Sequence, residues 1–180
     1  AANIDLEAFT EDFYHKICGG HLQPVLETLE YIKKETSVWL EITTLLIPGE
    51  NDSDTELENL TQWVVEHLGP DVPLHFSAFH PDFRLVNRPA TPASTLVKAR
   101  DIALKHGLKY VYVGNVDDSR RQATYCPACK KVLIERNWYD LGGYHIKDGA
   151  CKYCREPIAG VWPVKKGTWG RRRQPVNIVG

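Results

Sequence analysis

Four of the five cysteines fall in two pairs, "CPAC" at Cys126 and Cys129 and "CKYC" at Cys151 and Cys154, giving the spacing C-x2-C-x21-C-x2-C. A C-x-x-C segment turns tightly and aims two thiolates at one point, so two such segments predict a tetrahedral all-thiolate site of the zinc-ribbon type. A closed shell of four thiolates has no open position for water or substrate, so the metal is expected to fold the ribbon rather than do chemistry. Iron in a rubredoxin-like site is the competing metal. A thioredoxin-type disulfide fits poorly, because it needs one pair at a strand–helix junction. Four thiolates around a divalent ion leave a charge of about −2, which Lys130, Lys131, Lys152 and Arg155 beside the pairs can offset. The segment between the pairs carries strand-like pieces and a Gly-Gly expected to turn the ribbon, with His145 expected on its surface.

Other polar groups lie where strands should end. Asp5 follows "NID", "LLIPGEND" closes a second apolar run, "FSAFHPD" brings His80 and Asp82 to the end of a third, and "GNV" ends a fourth. In parallel α/β folds ligands bind at the carboxyl ends of strands, which makes these the candidate ligand positions. Cys18 is expected to be a small buried residue, since no base accompanies it.

The elements that must carry these residues alternate. After "NIDLEAF", Leu22, Val25, Leu26, Leu29 and Ile32 recur at helical spacing, followed by the strand-like "VWLEITTLLI". Ser53 and Glu56 form a capping-box pattern ahead of Leu57, Leu60, Val64 and Leu68. "VPLHFSAF" is the next strand. A third helix is expected with Thr91 as cap, Pro92 in its first turn and Gly107 at its end, and "YVYVGN" closes the series. Strand–helix repetition with apolar strands predicts a parallel sheet covered by helices. Half of a closed barrel and an open flavodoxin-like sheet both satisfy that pattern. Neither a G-x-G-x-x-G nor a Walker A motif is present. The polar stretch 117–124 reads as a linker between this region, 1–116, and the cysteine region, 125–163; residues 164–180 read as a basic tail containing Arg171, Arg172 and Arg173.

A hydrophobic content of 43% and a charged content of 25% are those of a globular chain. A net charge of −1 gives no overall attraction to nucleic acid or an anionic membrane, and no apolar run reaches the length of a bilayer span, so a cytoplasmic protein is expected. The chain has no Met and opens inside a strand-like pattern, so a preceding segment is expected.

"NIDLEAFTEDFYHKICG", "EITTLLIPGENDS", "HFSAFHPDF" and "KYVYVGNV" followed by "YCPACKKVLIER" resemble the radical SAM (S-adenosylmethionine) enzymes of the AmmeMemoRadiSam system, relatives of the glycyl-radical-enzyme activases. The resemblance spans roughly residues 3 to 163. It implies a partial TIM-like (β/α) barrel of radical SAM type with its first strands missing, followed by a small zinc-ribbon domain. It implies, for the complete protein, a 4Fe–4S cluster that cleaves S-adenosylmethionine reductively to a 5′-deoxyadenosyl radical for hydrogen abstraction. It implies that Asp5 and His80 approach S-adenosylmethionine, that Leu46 to Gly49 pack near its adenosine, and that Memo-type and AMMECR-type proteins are the partners. Nucleic acid and membranes are not expected as partners. The cluster motif C-x-x-x-C-x-x-C is absent from the chain, and the family's "DLK" reads Asp5-Leu6-Glu7, where Glu7 is expected to repel the cofactor carboxylate. The alternative is a non-enzymatic zinc-ribbon adaptor that binds protein or nucleic acid.

Overall fold

The computed structural model describes residues 1–167, and the tail arginines Arg171, Arg172 and Arg173 lie outside the described residues. The chain divides into two compact units, Ala1–Val116 and a second that begins at Asp117.

The first unit contains strands β1 (Ala2–Asp5), β2 (Leu40–Leu46), β3 (Leu74–Ala78) and β4 (Val111–Gly114). Helix α1 (Glu11–Phe13) continues into a π-helical turn, Tyr14–Cys18, that ends on Gly19 in the left-handed conformation. Helix α2 (Leu22–Glu35), α3 (Asp54–Trp63, running on into a π turn at Val64–Leu68) and α4 (Ala93–Lys105) complete it. All strands pair in parallel, in the order β1-β2-β3-β4. That order contains no switch point. A flavodoxin-like sheet reverses direction at a switch point and carries helices on both faces. Here α2, α3 and α4 all pack against the same face, as sequential crossovers of one hand require.

Burial follows from this one-sided winding. Along β2, β3 and β4 buried and half-buried residues alternate. Leu40, Ile42, Leu46, Leu74, Phe76, Val111 and Val113 join Leu29, Leu57, Leu60, Val64, Leu96, Ala99 and Ala103 of the helices in one core. The opposite face presents Asn3, Asp5, Glu41, Thr43, His75, Ser77 and Tyr112, none of them fully buried. Parallel sheets are normally covered on both faces. A second apolar cluster of Ala8, Phe13, Tyr14, Ile47 and Phe79 lies beyond the strand ends.

Two local expectations need correcting. Ser53 does cap α3, accepting from the Glu56 N–H at 3.3 Å, but the Glu56 carboxylate accepts from the Phe9 N–H at 2.8 Å. Its reach across to the segment after β1 leaves the capping box half-formed. Thr91 does not cap α4, whose N-cap is Pro92. The Thr91 hydroxyl instead donates to the Leu46 carbonyl and accepts from the Phe79 N–H, tying the ends of β2 and β3.

In the second unit, α5 (Ser119–Gln122) precedes an antiparallel sheet of β5 (Thr124–Tyr125), β6 (Val132–Asn137) and β7 (Asp140–Tyr144). A two-stranded ribbon, β8 (Ile146–Lys147) and β9 (Ala150–Cys151), follows. Residues 117–124 are therefore no free linker. The Asp118 side chain accepts from the Arg121 N–H at 3.0 Å, and buried Gln122 accepts from the Trp138 N–H at 2.9 Å. Gly142-Gly143 is not the turn either. It lies inside β7, and the hairpin turns at Trp138-Tyr139. A Cβ on Gly142 would stand 2.5 Å from the Glu135 carboxylate, which crosses the strand there and accepts from the Gly143 N–H. Among the described residues no helix is long and apolar enough to cross a membrane.

Asn51 is the tie at the strand ends. It is buried, donates to the carbonyls of Glu7 and Leu45 at 2.6 and 2.8 Å, and accepts from the Ile47 N–H at 2.7 Å. Asn51→Ala would strand these backbone groups away from water. A loss of about 2–4 kcal/mol of unfolding free energy is expected in urea titrations, with the m-value unchanged.

Candidate metal centre and strand-end residues

The two cysteine pairs adopt the same local geometry. In the first, the Lys130 N–H donates to the Cys126 carbonyl at 3.0 Å and the Cys126 N–H to the Lys131 carbonyl at 2.9 Å. In the second, the Arg155 N–H donates to the Cys151 carbonyl at 2.9 Å and the Cys151 N–H to the Glu156 carbonyl at 2.8 Å. The residue after each second cysteine has positive φ, 62° at Lys130 and 68° at Arg155. Each turn also offers an N–H to its first sulfur, from Cys129 to Cys126 Sγ at 3.5 Å and from Tyr153 to Cys151 Sγ at 3.4 Å. Such N–H···S contacts favour thiolate over thiol.

β9 delivers Cys151 through a tight Asp148-Gly149 turn with positive φ at both residues, 52° and 71°, as a type I′ hairpin demands. The four sulfurs then lie within 4.8 Å of one another. Cys126 and Cys154 Sγ are 3.5 Å apart, and Cys129 and Cys151 Sγ 3.8 Å. A zinc tetrahedron with bonds of about 2.3 Å has edges of about 3.8 Å. The cysteines are unlinked, and a disulfide would need sulfurs about 2.05 Å apart. The cluster is able to hold one metal ion.

Protonation is shared unequally. The Cys151 thiol is brought down to about 7: burial opposes ionisation, but N–H donors from Cys154 and Tyr153 and the neighbouring thiols outweigh it. Cys154 is pushed up to about 12, where the Glu156 backbone lowers it but burial and the bonds it makes to the other three sulfurs dominate. Loading a metal must therefore displace protons.

His145 departs from the surface position expected of it. Its ring is half-buried and edge-on to Tyr153 at 5.3 Å, and its Nδ1 is buried with no partner among the described residues. Cys18 also departs, being exposed rather than buried. Partial desolvation and the negative Glu7 raise its thiol pKa, the opposite of an activated nucleophile.

Asp5 and His80 are both exposed, at the end of β1 and just past β3. The register does not bring them together. Asp5 is level with Thr43, β2 intervenes, and Ala78 pairs with Leu46 three residues farther on. Their backbones are thus more than about 10 Å apart. Asp82 closes a turn, its carbonyl accepting from the Leu85 N–H at 3.0 Å. Leu46 to Gly49 leads into a turn in which the Gly49 N–H donates to Asp52 at 2.8 Å.

The Glu7 carboxylate is engaged by the neighbouring strand's backbone. Its Oε2 accepts from the Leu45 N–H at 3.1 Å, standing in for the strand carbonyl that β1 no longer supplies. Desolvation, partly offset by that bond and reinforced by Asp5, raises its pKa.

The sequence reading missed a polar cluster on the sheet face opposite α2, α3 and α4. His75 Nε2 meets Glu41 Oε2 at 2.7 Å, Trp39 Nε1 donates to Glu41 Oε1 at 3.0 Å, and the His75 ring stacks on Tyr112 at 4.9 Å. Thr43 donates to Asn3 at 2.9 Å. The signal was available in the alternation of "LEITT" and "LHFSA" with period two. A close approach of β3 and β4 also explains Gly114, where a Cβ would stand 2.9 Å from Ser77 Oγ.

Two predictions follow from these geometries. Cys126→Ser should lose the roughly one bound zinc per chain that metal analysis should find, while Cys18→Ser keeps it; the apparent affinity should fall steeply below about pH 7 as Cys151 takes up its proton. Retention of metal by the Cys126 variant would exclude the tetrad. For Glu7, a raised folded-state pKa means that the native state holds the proton more tightly, so its contribution is fully present below the unfolded pKa and fades as pH rises through the folded one. Glu7→Gln should flatten the stability–pH curve in that window, measured by urea midpoints.

No family model matches the chain. It is 43% identical over 160 residues to the uncharacterized protein MJ0808 of Methanocaldococcus jannaschii, an alignment covering 88% of this chain and 47% of that one. The chain thus spans about half the length of that relative. A radical SAM methyltransferase from Sphaerobacter thermophilus superposes with a TM-score of 0.47 and 18% identity, over 72% of this chain and 37% of that one, a score that carries no fold assignment. A domain of pyruvate-formate lyase-activating enzyme from Bacteroides vulgatus superposes with a TM-score of 0.55 and 14% identity, over 63% of this chain and 66% of that one, so the α/β fold is of that kind.

Proposed function

We propose that the first unit is the C-terminal part of a radical SAM (β/α) barrel and that the four cysteines hold a structural zinc. The observation that carries this reading is the one-sided parallel sheet. Its strand order is sequential, α2, α3 and α4 lie on one face, and its other face carries half-buried and exposed polar side chains. In a (β/α) barrel the helices form an outer ring and the other sheet face is enclosed, and strands preceding β1 would enclose it here. The likeness to the activating-enzyme domain supports the same assignment.

On this reading the iron–sulfur cysteines come from the preceding strands. The tetrad does not fit that role: its sulfurs close on a single ion and leave no site for S-adenosylmethionine. The cluster, when bound, supplies the electron for reductive cleavage of the sulfonium. Asp5 and His80, exposed at the ends of β1 and β3, are the residues of this chain assigned to S-adenosylmethionine. Glu7 takes no part in that contact, because its carboxylate is engaged with Leu45. Memo-type and AMMECR-type proteins remain the proposed partners.

The test uses the complete protein, purified without oxygen. It should bind about four iron and four sulfide per chain and form 5′-deoxyadenosine from S-adenosylmethionine and dithionite. His80→Ala should raise the KM for S-adenosylmethionine about tenfold or more with iron content unchanged. A complete gene without an upstream C-x-x-x-C-x-x-C, or an iron-loaded protein that leaves S-adenosylmethionine intact, overturns the proposal.

A further inference from the structure

The net charge of −1 is the sum of two strongly opposed units. Of the 22 lysines and arginines, 13 lie from Asp117 onward, against only six of the 23 acidic residues. The first unit therefore carries −8 and the second +7. The excess does not depend on the tail arginines, since residues 117–167 alone hold ten cations and six carboxylates. The chain-average charge describes neither unit.

Four of those ten cations flank the cysteine turns. Lys130, Lys131, Lys152 and Arg155 are all exposed, and among the described residues none lies within ion-pair distance of a carboxylate. Lys130 and Arg155 occupy the positive-φ positions, where Gly or Asn would fit with less strain. A filled tetrathiolate site carries about −2, which leaves about two of these four charges uncompensated. At the far end of β6 the hairpin turn exposes two aromatic rings, Trp138 by 44% and Tyr139 by 70%. A cavity of about 490 Å³ runs between the two ends, from Tyr125 and Val132 beside the first cysteine turn to Asn137 beside the hairpin turn. Its lining also includes Arg120, Ala123, Arg136 and Leu141 together with the carboxylates of Glu135 and Asp140.

We propose that the second unit binds single-stranded nucleic acid, with phosphates on the cysteine-turn cations and bases on the hairpin aromatics and the cavity between them. β6 separates the two ends by about 17 Å, so the strand needs to be only a few nucleotides long. Single-strand sites combine these two components, a positively charged track for the backbone and aromatic faces for the bases. An acidic protein would use the cations and leave the rings idle. This inference is independent of the radical reading, because its test involves neither cluster nor S-adenosylmethionine.

The experiment is fluorescence anisotropy of a labelled eight-nucleotide single-stranded RNA with the zinc-loaded 180-residue chain across a salt series. Binding should weaken with salt at a slope of about −0.7 in log K per phosphate engaged, hence about −2 to −3 in all. Lys131→Ala with Lys152→Ala should flatten that slope by about 1.4. Trp138→Ala with Tyr139→Ala should weaken binding about tenfold and leave the slope unchanged. All four residues are exposed, and zinc content measured on each variant reports that the fold is kept. The proposal is overturned if the chain does not bind RNA at 50 mM salt or below (about the range where such contacts are strongest), if the aromatic variant binds like the wild type, or if the lysine variant instead abolishes a concentration-dependent dimer seen in light scattering.

Discussion

Each strand of the first unit pairs in parallel with its neighbour in sequence, and most of the unit's other properties descend from that pairing. A parallel connection needs a crossover, and crossovers of one hand stack α2, α3 and α4 on one side. The sheet then has one face for its core and one for something else. Leu, Ile, Phe and Val occupy the first, while Asn3, Glu41, Thr43, His75 and Tyr112 line the second and satisfy one another across strands. His75 and Glu41, stacked and paired, form the kind of cross-strand network that holds register where burial on that face is incomplete.

The same pairing creates a problem at the end of β1. That strand stops at Asp5, whereas β2 continues to Leu46. The backbone groups of β2 beyond Asp5 need partners. Leu6 still donates to the Thr43 carbonyl, the Thr44 hydroxyl donates to the Leu6 carbonyl, and after that side chains take over. Glu7 receives the Leu45 N–H, Asn51 holds the Leu45 and Glu7 carbonyls and the Ile47 N–H, and Glu56 fastens the outgoing chain at Phe9. Three polar residues that read as ligand-facing or capping groups in the sequence are spent on closing a sheet edge. Raised carboxylate pKa values at Glu7 and Glu56, both driven chiefly by burial, are the electrostatic consequence.

Legibility in the sequence tracked the range of the interaction. The α2 and α3 faces, the Ser53 cap and the cysteine turns depend on residues a few positions apart, and the pattern exposes them. Thr91 and Glu56 deceived because each had a plausible local partner and a better distant one, at Leu46 and Phe9. Gly142-Gly143 had the composition of a turn, yet the need for small residues came from the Glu135 side chain on the neighbouring strand. The sheet order was undecidable from strand–helix alternation, since sequential and switched windings share it. The alternation of polar residues in β2 and β3 was the one clue to a polar face, and a reading tuned to apolar content passes over it.

The cysteine turns carry a further argument about charge. A metal site needs only that its thiolates converge, and the backbone bonds from Lys130 and Arg155 achieve this whatever their side chains are. Neutral residues would leave the tetrad's own negative charge facing solvent, and two cations would balance it. Four cations at those turns, in a unit whose acidic residues are outnumbered, make the surface net positive instead. The opposite excess in the first unit means that the imbalance is not a property of overall composition. A folding staple explains where the sulfurs are; it does not explain the surplus of positive charge around them, and that surplus is what an anionic strand would read.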